Sequence, residues 1–173
     1  MNNIKLRKLV MEDAPLMLEW MQDEELVAFL HADFLNMKLY ECEKFIERSW
    51  SDPVNKHFAV IEDNEYMGTV SLKNIGEAYA EFAICMRRYA LGRGIAIEGM
   101  RMILNYGFAQ WKLNGIYWCV SPENKRAVKF YDKNQYERLL ILSSEDKVRE
   151  KISRSGYSTE EIQKYIWFME KRK

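Results

Sequence analysis

Cysteine, histidine and proline are scarce in this 173-residue chain, with three, two and three copies respectively. Each shortage removes a class of function. Cys42, Cys85 and Cys119 lie far apart, are odd in number and show no Cys-x-x-Cys spacing. That argues against a disulfide framework and a cysteine zinc site, and points to a reducing cytoplasm. His31 and His57 are too distant from each other, and too short of partners, to suggest a metal centre. An excess of charge of one sign is missing too: 26 Lys+Arg balance 26 Asp+Glu. Such a balance argues against a general nucleic-acid surface. No apolar run is long enough to cross a bilayer, and the opening MNNIKLRKL lacks a signal-peptide core. Repeats, low-complexity tracts and Pro/Gly/Ser-rich linkers are absent as well. Residues 1–173 are therefore expected to form a single domain.

What is present is the balance of a globular protein, 48% hydrophobic and 30% charged, long enough for one sizeable core. Ile4–Leu9 alternates apolar and polar residues and reads as a half-buried first strand. Glu12-Asp13 ahead of Ala14-Pro15 is a helix start. A second short helix opens at Asp23, a loop covers His31 to Met37, and a helix spans Leu39 to Trp50 before Ser51-Asp52-Pro53. His57–Ile61, Tyr66–Leu72 and Tyr79–Met86 read as three strands of an antiparallel meander, with Gly68 at a bulge. A helix then runs to about Phe108, followed by a buried strand at Ile116–Val120 and a helix from Lys125 to Asp132. Gln135–Leu142 reads as a further strand, Ser143–Ser155 as a charged helix, and Tyr165–Met169 as the last strand. Element order predicts an α+β (α/β) fold with a mixed, mainly antiparallel sheet flanked by helices.

The stretch Ala80–Tyr106 holds the strongest local signal. A strand leads through Arg87-Arg88-Tyr89 into Gly92-Arg93-Gly94-Ile95-Ala96 and on into a helix. The first N–H groups of a helix lack intrahelical partners, and the helix dipole adds positive potential there. A glycine turn at that point binds phosphate or pyrophosphate well. A tight strand-to-helix turn with no ligand has the same sequence, and the glycine pattern alone leaves both readings open.

A second block decides between them. Leu91-Gly92-Arg93-Gly94-Ile95-Ala96, followed by Asn124, Ala127, Phe130 and Tyr131 in the pattern Asn-x-x-Ala-x-x-Phe-Tyr, resembles the GNAT superfamily of acetyltransferases. The acetyl-CoA loop of that family reads Gln/Arg-x-x-Gly-x-Gly/Ala. Gly94 and Ala96 match it, whereas Leu91 departs from the Gln/Arg position. Gln135-Tyr136 stands where the family usually has Gly-Phe. The opening, with Leu6-Arg7, Asp13-Ala14 and Trp20-Met21, is similar to the branch of ribosomal-protein N-terminal, polyamine and nucleotide-amino-sugar acetyltransferases.

The resemblance implies direct transfer of acetyl from acetyl-CoA to a primary amine, with no metal. The acceptor would be an amino sugar, a polyamine or a protein N-terminus, and the enzyme a monomer or homodimer with no membrane or nucleic-acid partner. A non-catalytic acetyl-CoA sensor or interaction module on the same fold is the alternative. Leu91, Gly92, Arg93, Gly94, Ile95, Ala96 and Ile97 would hold the CoA pyrophosphate, mainly through backbone N–H. Ile84, Cys85 and Met86 would pair with the pantetheine arm as a pseudo-strand. Tyr131 is the expected general acid, or else a core aromatic beside Phe130. Asn124 would bond the pantetheine arm, cap its helix, or both. Glu81, on the strand leading to the acetyl site among apolar neighbours, is the expected general base, or else a solvent-facing strand residue. His31 and Phe34 lie in the loop where the superfamily often builds its acceptor pocket. Tyr40, Lys73 and Tyr79 are further candidates for a nucleotide-sugar acceptor. The side chains of Arg87, Arg88 and Arg93 would either meet the CoA phosphates or line a solvated turn. Cys85 and Cys119 read as buried strand residues rather than acyl carriers. Ser143–Thr159 is longer than the minimal fold needs, and would serve as a lid, a substrate wall or a dimer arm.

Overall fold

The computed structural model describes residues 3–172. Six strands form one sheet in sequence order: β1 (Ile4–Lys8), β2 (Lys56–Glu62), β3 (Glu65–Lys73), β4 (Tyr79–Met86), β5 (Gly115–Val120) and β6 (Ile166–Lys171). Neighbours are antiparallel except β4 and β5, which are parallel. The β2–β3 hairpin turns on Asp63 and Asn64, both at positive φ, which suits the right-handed twist of the flanking strands. The register slips between Val60 and Ile61 opposite Tyr66 and Gly68, so the expected bulge is present.

The parallel pair is short. Pairing runs from Tyr79↔Gly115 to Glu81↔Tyr117 and stops. Beyond it, β4 stays bonded to β3 as far as Gly68↔Met86, and β5 stays bonded to β6 as far as Val120↔Ile166. Each strand follows its outer partner, so the sheet forks. Phe82–Met86 and Trp118–Val120 face each other across the fork without a ladder between them.

Seven α-helices of the described residues cover the sheet: α1 (Ala14–Met21), α2 (Glu24–Val27), α3 (Leu39–Ser49), α4 (Ile95–Trp111), α5 (Lys125–Lys133), α6 (Asp146–Ser153) and α7 (Thr159–Lys164). One face carries α4 and α5. There Met100, Ile103 and Leu104 pack against Val60, Val70, Leu72, Phe82 and Trp118. Gly99 lets α4 lie close to the sheet, since a Cβ there would come within 2.8 Å of Val60 Cγ2. On the other face α1–α3 cover the β1–β3 half, burying Met17, Trp20, Ile46 and Ile61. α6 covers the β5–β6 half, where Val148 and Ile152 pack with Tyr117 and Trp167. Two apolar helical groups thus flank a polar seam on this face. At about 25 cal/mol per Å² of buried apolar surface, these three clusters supply the main force for folding.

Two expectations need correction. α4 runs to Trp111, not Phe108, and Lys112 ends it at φ 51°. Gln135–Leu142 is not a strand. It makes one bridge, Arg138↔Phe168, with Leu139 N donating to Trp167 O and Met169 N to Glu137 O. It then turns through a 3₁₀ segment at Ile141–Ser143. Leu140 and Leu142 are turned outward, 73% and 94% exposed, so the apolar run has no face on which to extend a ladder. Among the described residues no helix is long and apolar enough to cross a membrane.

Candidate active site

The glycine turn lies at the open end of the fork. Gly92 and Gly94 have φ of 74° and 79°, and Gly94 is the N-cap of α4. A Cβ at either would meet nothing within 4 Å, so the turn selects glycine for its backbone angle and faces open space. Glu98 N donates to Gly94 O, which leaves the N–H groups of Ile95, Ala96 and Ile97 for an outside acceptor. The side chain of Leu91 packs between the core clusters of the two faces. No Gln or Arg side chain stands at that position to add a contact. The residues present fit a pyrophosphate held by backbone N–H alone.

The three arginines near this turn are committed elsewhere. Arg87 bonds Glu19, Glu65 and the carbonyl of Tyr66. Arg88 bonds Asp23 and Glu25. Arg93 Nη2 lies 2.5 Å from Glu62 Oε2 and stacks on Tyr89. These pairs tie the turn to α1, α2 and β2, so they fix its shape rather than present free cations.

Inside the fork, Ile84, Cys85 and Met86 lie on the edge of β4 that β5 leaves unpaired. Tyr131, on α5, closes the fork from the α4 side. It is 6% exposed and packs on Trp118 and Phe168, with ring centroids 5.5 and 5.1 Å away. Burial pushes its phenol pKa well up, with Cys85 and Cys119 as secondary neighbours, so the hydroxyl keeps its proton. The ring is thus a core aromatic, packed on Trp118 and Phe168. Asn124 is the N-cap of α5, its Oδ1 accepting from Ala127 N at 3.1 Å. That use of Oδ1 leaves its Nδ2 group without a partner among the described residues. Burial raises the Cys85 and Cys119 thiols to about 12, which keeps them neutral and poor as nucleophiles.

Glu81 sits where the parallel ladder ends. It is 3% exposed, so it is not a solvent-facing strand residue. Its surroundings are not apolar either. Oε1 accepts from the Tyr157 hydroxyl at 2.7 Å and lies 2.9 Å from Lys73 Nζ, while Oε2 accepts from Asn74 Nδ2 at 3.3 Å. Alternation along the strand sends Ala80 and Phe82 into the α4 core and Glu81 into the polar seam. The same seam holds the paired residues Ser71 and His57, with His57 Nδ1 2.7 Å from Ser71 Oγ. Burial is the main cause that lowers His57 to about 4, so it is neutral at physiological pH.

His31 lies at the rim of the seam. Its Nδ1 is 2.8 Å from Glu161 Oε1, and its ring lies 5.4 Å from that of Tyr157. This contact joins the α2–α3 loop to α7 across the seam. Phe34 packs edge-on against Trp20 at 5.3 Å and supports the loop from below. Tyr79 donates to Glu145 and Tyr40 lies exposed beside Lys44, so neither reaches Glu81. Tyr157 and Asn74 escaped the sequence reading. Both meet Glu81 only through tertiary folding, Tyr157 from 76 residues away. The segment 143–159 is therefore a wall of the seam, with α6 as its base and Tyr157 at its end.

The family model for the acetyltransferase (GNAT) domain matches residues 3–137. Acetyltransferase PseH of Campylobacter jejuni is 24% identical over 136 residues, covering 77% of this chain and 84% of that protein. Spermidine N(1)-acetyltransferase of Escherichia coli is 30% identical over 95 residues, covering 54% of this chain and 51% of the relative. Among solved structures, Vibrio cholerae spermidine N-acetyltransferase in complex with CoA and spermine aligns with a TM-score of 0.70 at 23% identity, covering 79% of this chain and 82% of that one. Campylobacter jejuni PseH in complex with acetyl coenzyme A aligns with a TM-score of 0.64 at 21% identity, covering 98% and 99%. The two solved structures share the fold described above.

Proposed function

The chain belongs to the acetyltransferase (GNAT) family, an acetyl-CoA-dependent N-acetyltransferase, and from that premise we propose that its acceptor is the primary amine of a small molecule. An amino sugar or a polyamine would fit this description. The observation that supports the reading is the fork itself. It opens beyond Glu81↔Tyr117, has a helix N-terminus at its mouth, Tyr131 on one face and Glu81 on the other.

The roles follow from position. Backbone N–H groups of Ile95, Ala96 and Ile97 hold the pyrophosphate. The free edge of Ile84–Met86 takes the amide-rich arm as an added strand. An N–H near Ile84 or Cys85 polarises the thioester carbonyl as negative charge builds on its oxygen. Glu81 takes up the proton lost by the attacking amine, directly or through water, and Lys73 and Tyr157 orient its carboxylate. Tyr131 donates to the departing sulfur. Asn124 uses its free Nδ2 on the pantetheine arm.

A protein N-terminus would need an open groove across the seam. The His31–Glu161 bridge spans that place, which favours a small acceptor. Three free thiols suit a cytoplasmic setting.

The test is release of free thiol from acetyl-CoA with amino sugars, polyamines and N-terminal peptides. Turnover is expected with at least one small amine. Turnover with peptides alone, or CoA binding without turnover of any amine, would sink the proposal.

A further inference from the structure

We infer that the pocket beside Asn74 binds an anionic group of the acceptor, of the phosphate class. The acceptor is then an amine on a phosphorylated scaffold rather than a polyamine. This rests on the small-amine reading above and narrows it.

The pocket has a volume of about 230 Å³ and is lined by Asn74, Lys147, Glu150, Lys151, Arg154 and Ser155. Three cations face one carboxylate. Lys147, Lys151 and Arg154 recur at i, i+4 and i+7, so they share one face of α6 and its C-terminal end. The adjoining face holds Val148 and Ile152, 1% and 0% exposed, fixed against Tyr117 and Trp167. The cationic row is therefore presented by an anchored helix. Glu150 lies 4.0 Å from Arg154, and no carboxylate of the described residues comes within that distance of Lys147 or Lys151. Lys151 Nζ lies against the Asn74–Gly76 turn, 2.9 Å from where a Cβ of Gly76 would stand. Ser155 Oγ, bonded to the Tyr117 hydroxyl at 2.7 Å, adds a polar wall.

What ties this pocket to the chemistry is Asn74. Asn74 lines the pocket, and its side chain donates to Glu81 Oε2. An acceptor resting here is one side chain away from Glu81. Cations with an amide and a hydroxyl suit a phosphate, which takes several charge-assisted hydrogen bonds at once. The same field repels a polyamine.

The experiment compares glucosamine, glucosamine 6-phosphate and spermidine as acceptors, in the wild type and in the Lys147→Gln/Lys151→Gln double variant. The wild type is expected to favour the phosphorylated sugar over glucosamine in kcat/KM by about 10-fold or more. The double variant should lose most of that ratio while its affinity for CoA stays unchanged. A single Lys147→Gln variant, at an exposed position, gives a partial loss and guards against misfolding of the double variant. A wild-type ratio near one, a preference for spermidine, or a ratio the variants do not alter would overturn the inference.

A second readout does not need turnover. With CoA saturating the α4 N-terminus, inorganic pyrophosphate is titrated by calorimetry. It should bind the wild type, fail on the double variant, and be displaced by glucosamine 6-phosphate. No binding, equal binding, or binding without displacement would each overturn the assignment. Absent turnover with this binding intact would count against the small-amine reading and not against the anion site.

Discussion

The Tyr157 hydroxyl donates to the Glu81 carboxylate over 2.7 Å, although 76 residues separate them in the chain. Lys73 shares the same oxygen and Asn74 holds the other. Glu81 is thus oriented by three groups, and Tyr157 reaches it only because α6 and α7 fold back over β5 and β6. Tyr157→Phe removes one donor and leaves the packing on Tyr165 and Trp167. It should lower kcat roughly 10-fold, while Glu81→Gln lowers kcat by about 100-fold or more. Steady-state kinetics across pH would check both. A Tyr157→Phe profile that overlays the wild type would remove Tyr157 from the positioning of Glu81.

Tyr131→Phe keeps the ring that packs on Trp118 and Phe168 and deletes only the hydroxyl. Expected is a fall in kcat of about 10- to 100-fold with CoA affinity nearly unchanged. Turnover at the wild-type level would leave the residue a core aromatic and nothing more.

Gly94→Ala places a Cβ where φ is 79° and no neighbour lies within 4 Å. The cost is therefore backbone strain, about 1 kcal/mol, not a clash. Urea denaturation should show that loss, and acetyl-CoA should bind more weakly because the N–H groups of α4 move. Equal stability and equal affinity would mean that the turn does not depend on its left-handed residue.

His57 offers a pH test. Its folded pKa of about 4 lies below the ordinary 6.5, so the unfolded chain binds the extra proton between those values. The groups around it are Asp52, Lys73 and Lys56, with Ser71 bonded to Nδ1 and Phe45 on the ring. The stabilisation is full above pH 6.5 and is lost as pH falls toward 4, up to about 3 kcal/mol. His57→Gln should flatten that part of the stability–pH curve measured by denaturation. An unchanged slope would show that other groups set it.

The β2–β3–β4 meander, the glycine turn and the α5 block could be read from the sequence because each is coded locally. Short apolar runs between turn residues mark β2 to β4, Gly92 and Gly94 mark the turn, and Asn124 marks its own cap. Gln135–Leu142 misled for a related reason: its apolar content suits a strand, but whether it pairs depends on the room left beside β6. Glu81 could be singled out on its strand, but its burial among polar partners could not: the sequence suggested apolar neighbours or a solvent-facing position. Lys73 and Asn74 face it from the neighbouring hairpin, and Tyr157 arrives from a segment whose sequence reads only as charged and helical. The commitments of Arg87, Arg88 and Arg93 are likewise products of the tertiary fold, since Glu19, Asp23 and Glu62 lie on three other elements.

A sheet that forks after Glu81↔Tyr117 is an unfinished sheet. The bare edge of Phe82–Met86 is the kind of surface on which a foreign strand can nucleate aggregation. In the binding mode proposed above, acetyl-CoA would lie along that edge and complete the architecture as well as supply the reaction. Ligand that binds only the folded chain adds RT ln(1 + [L]/Kd), about 2.7 kcal/mol when it stands at about 100 times Kd. On that binding mode, the folded state would be more stable when acetyl-CoA is plentiful and would leave its edge bare more often when it is scarce.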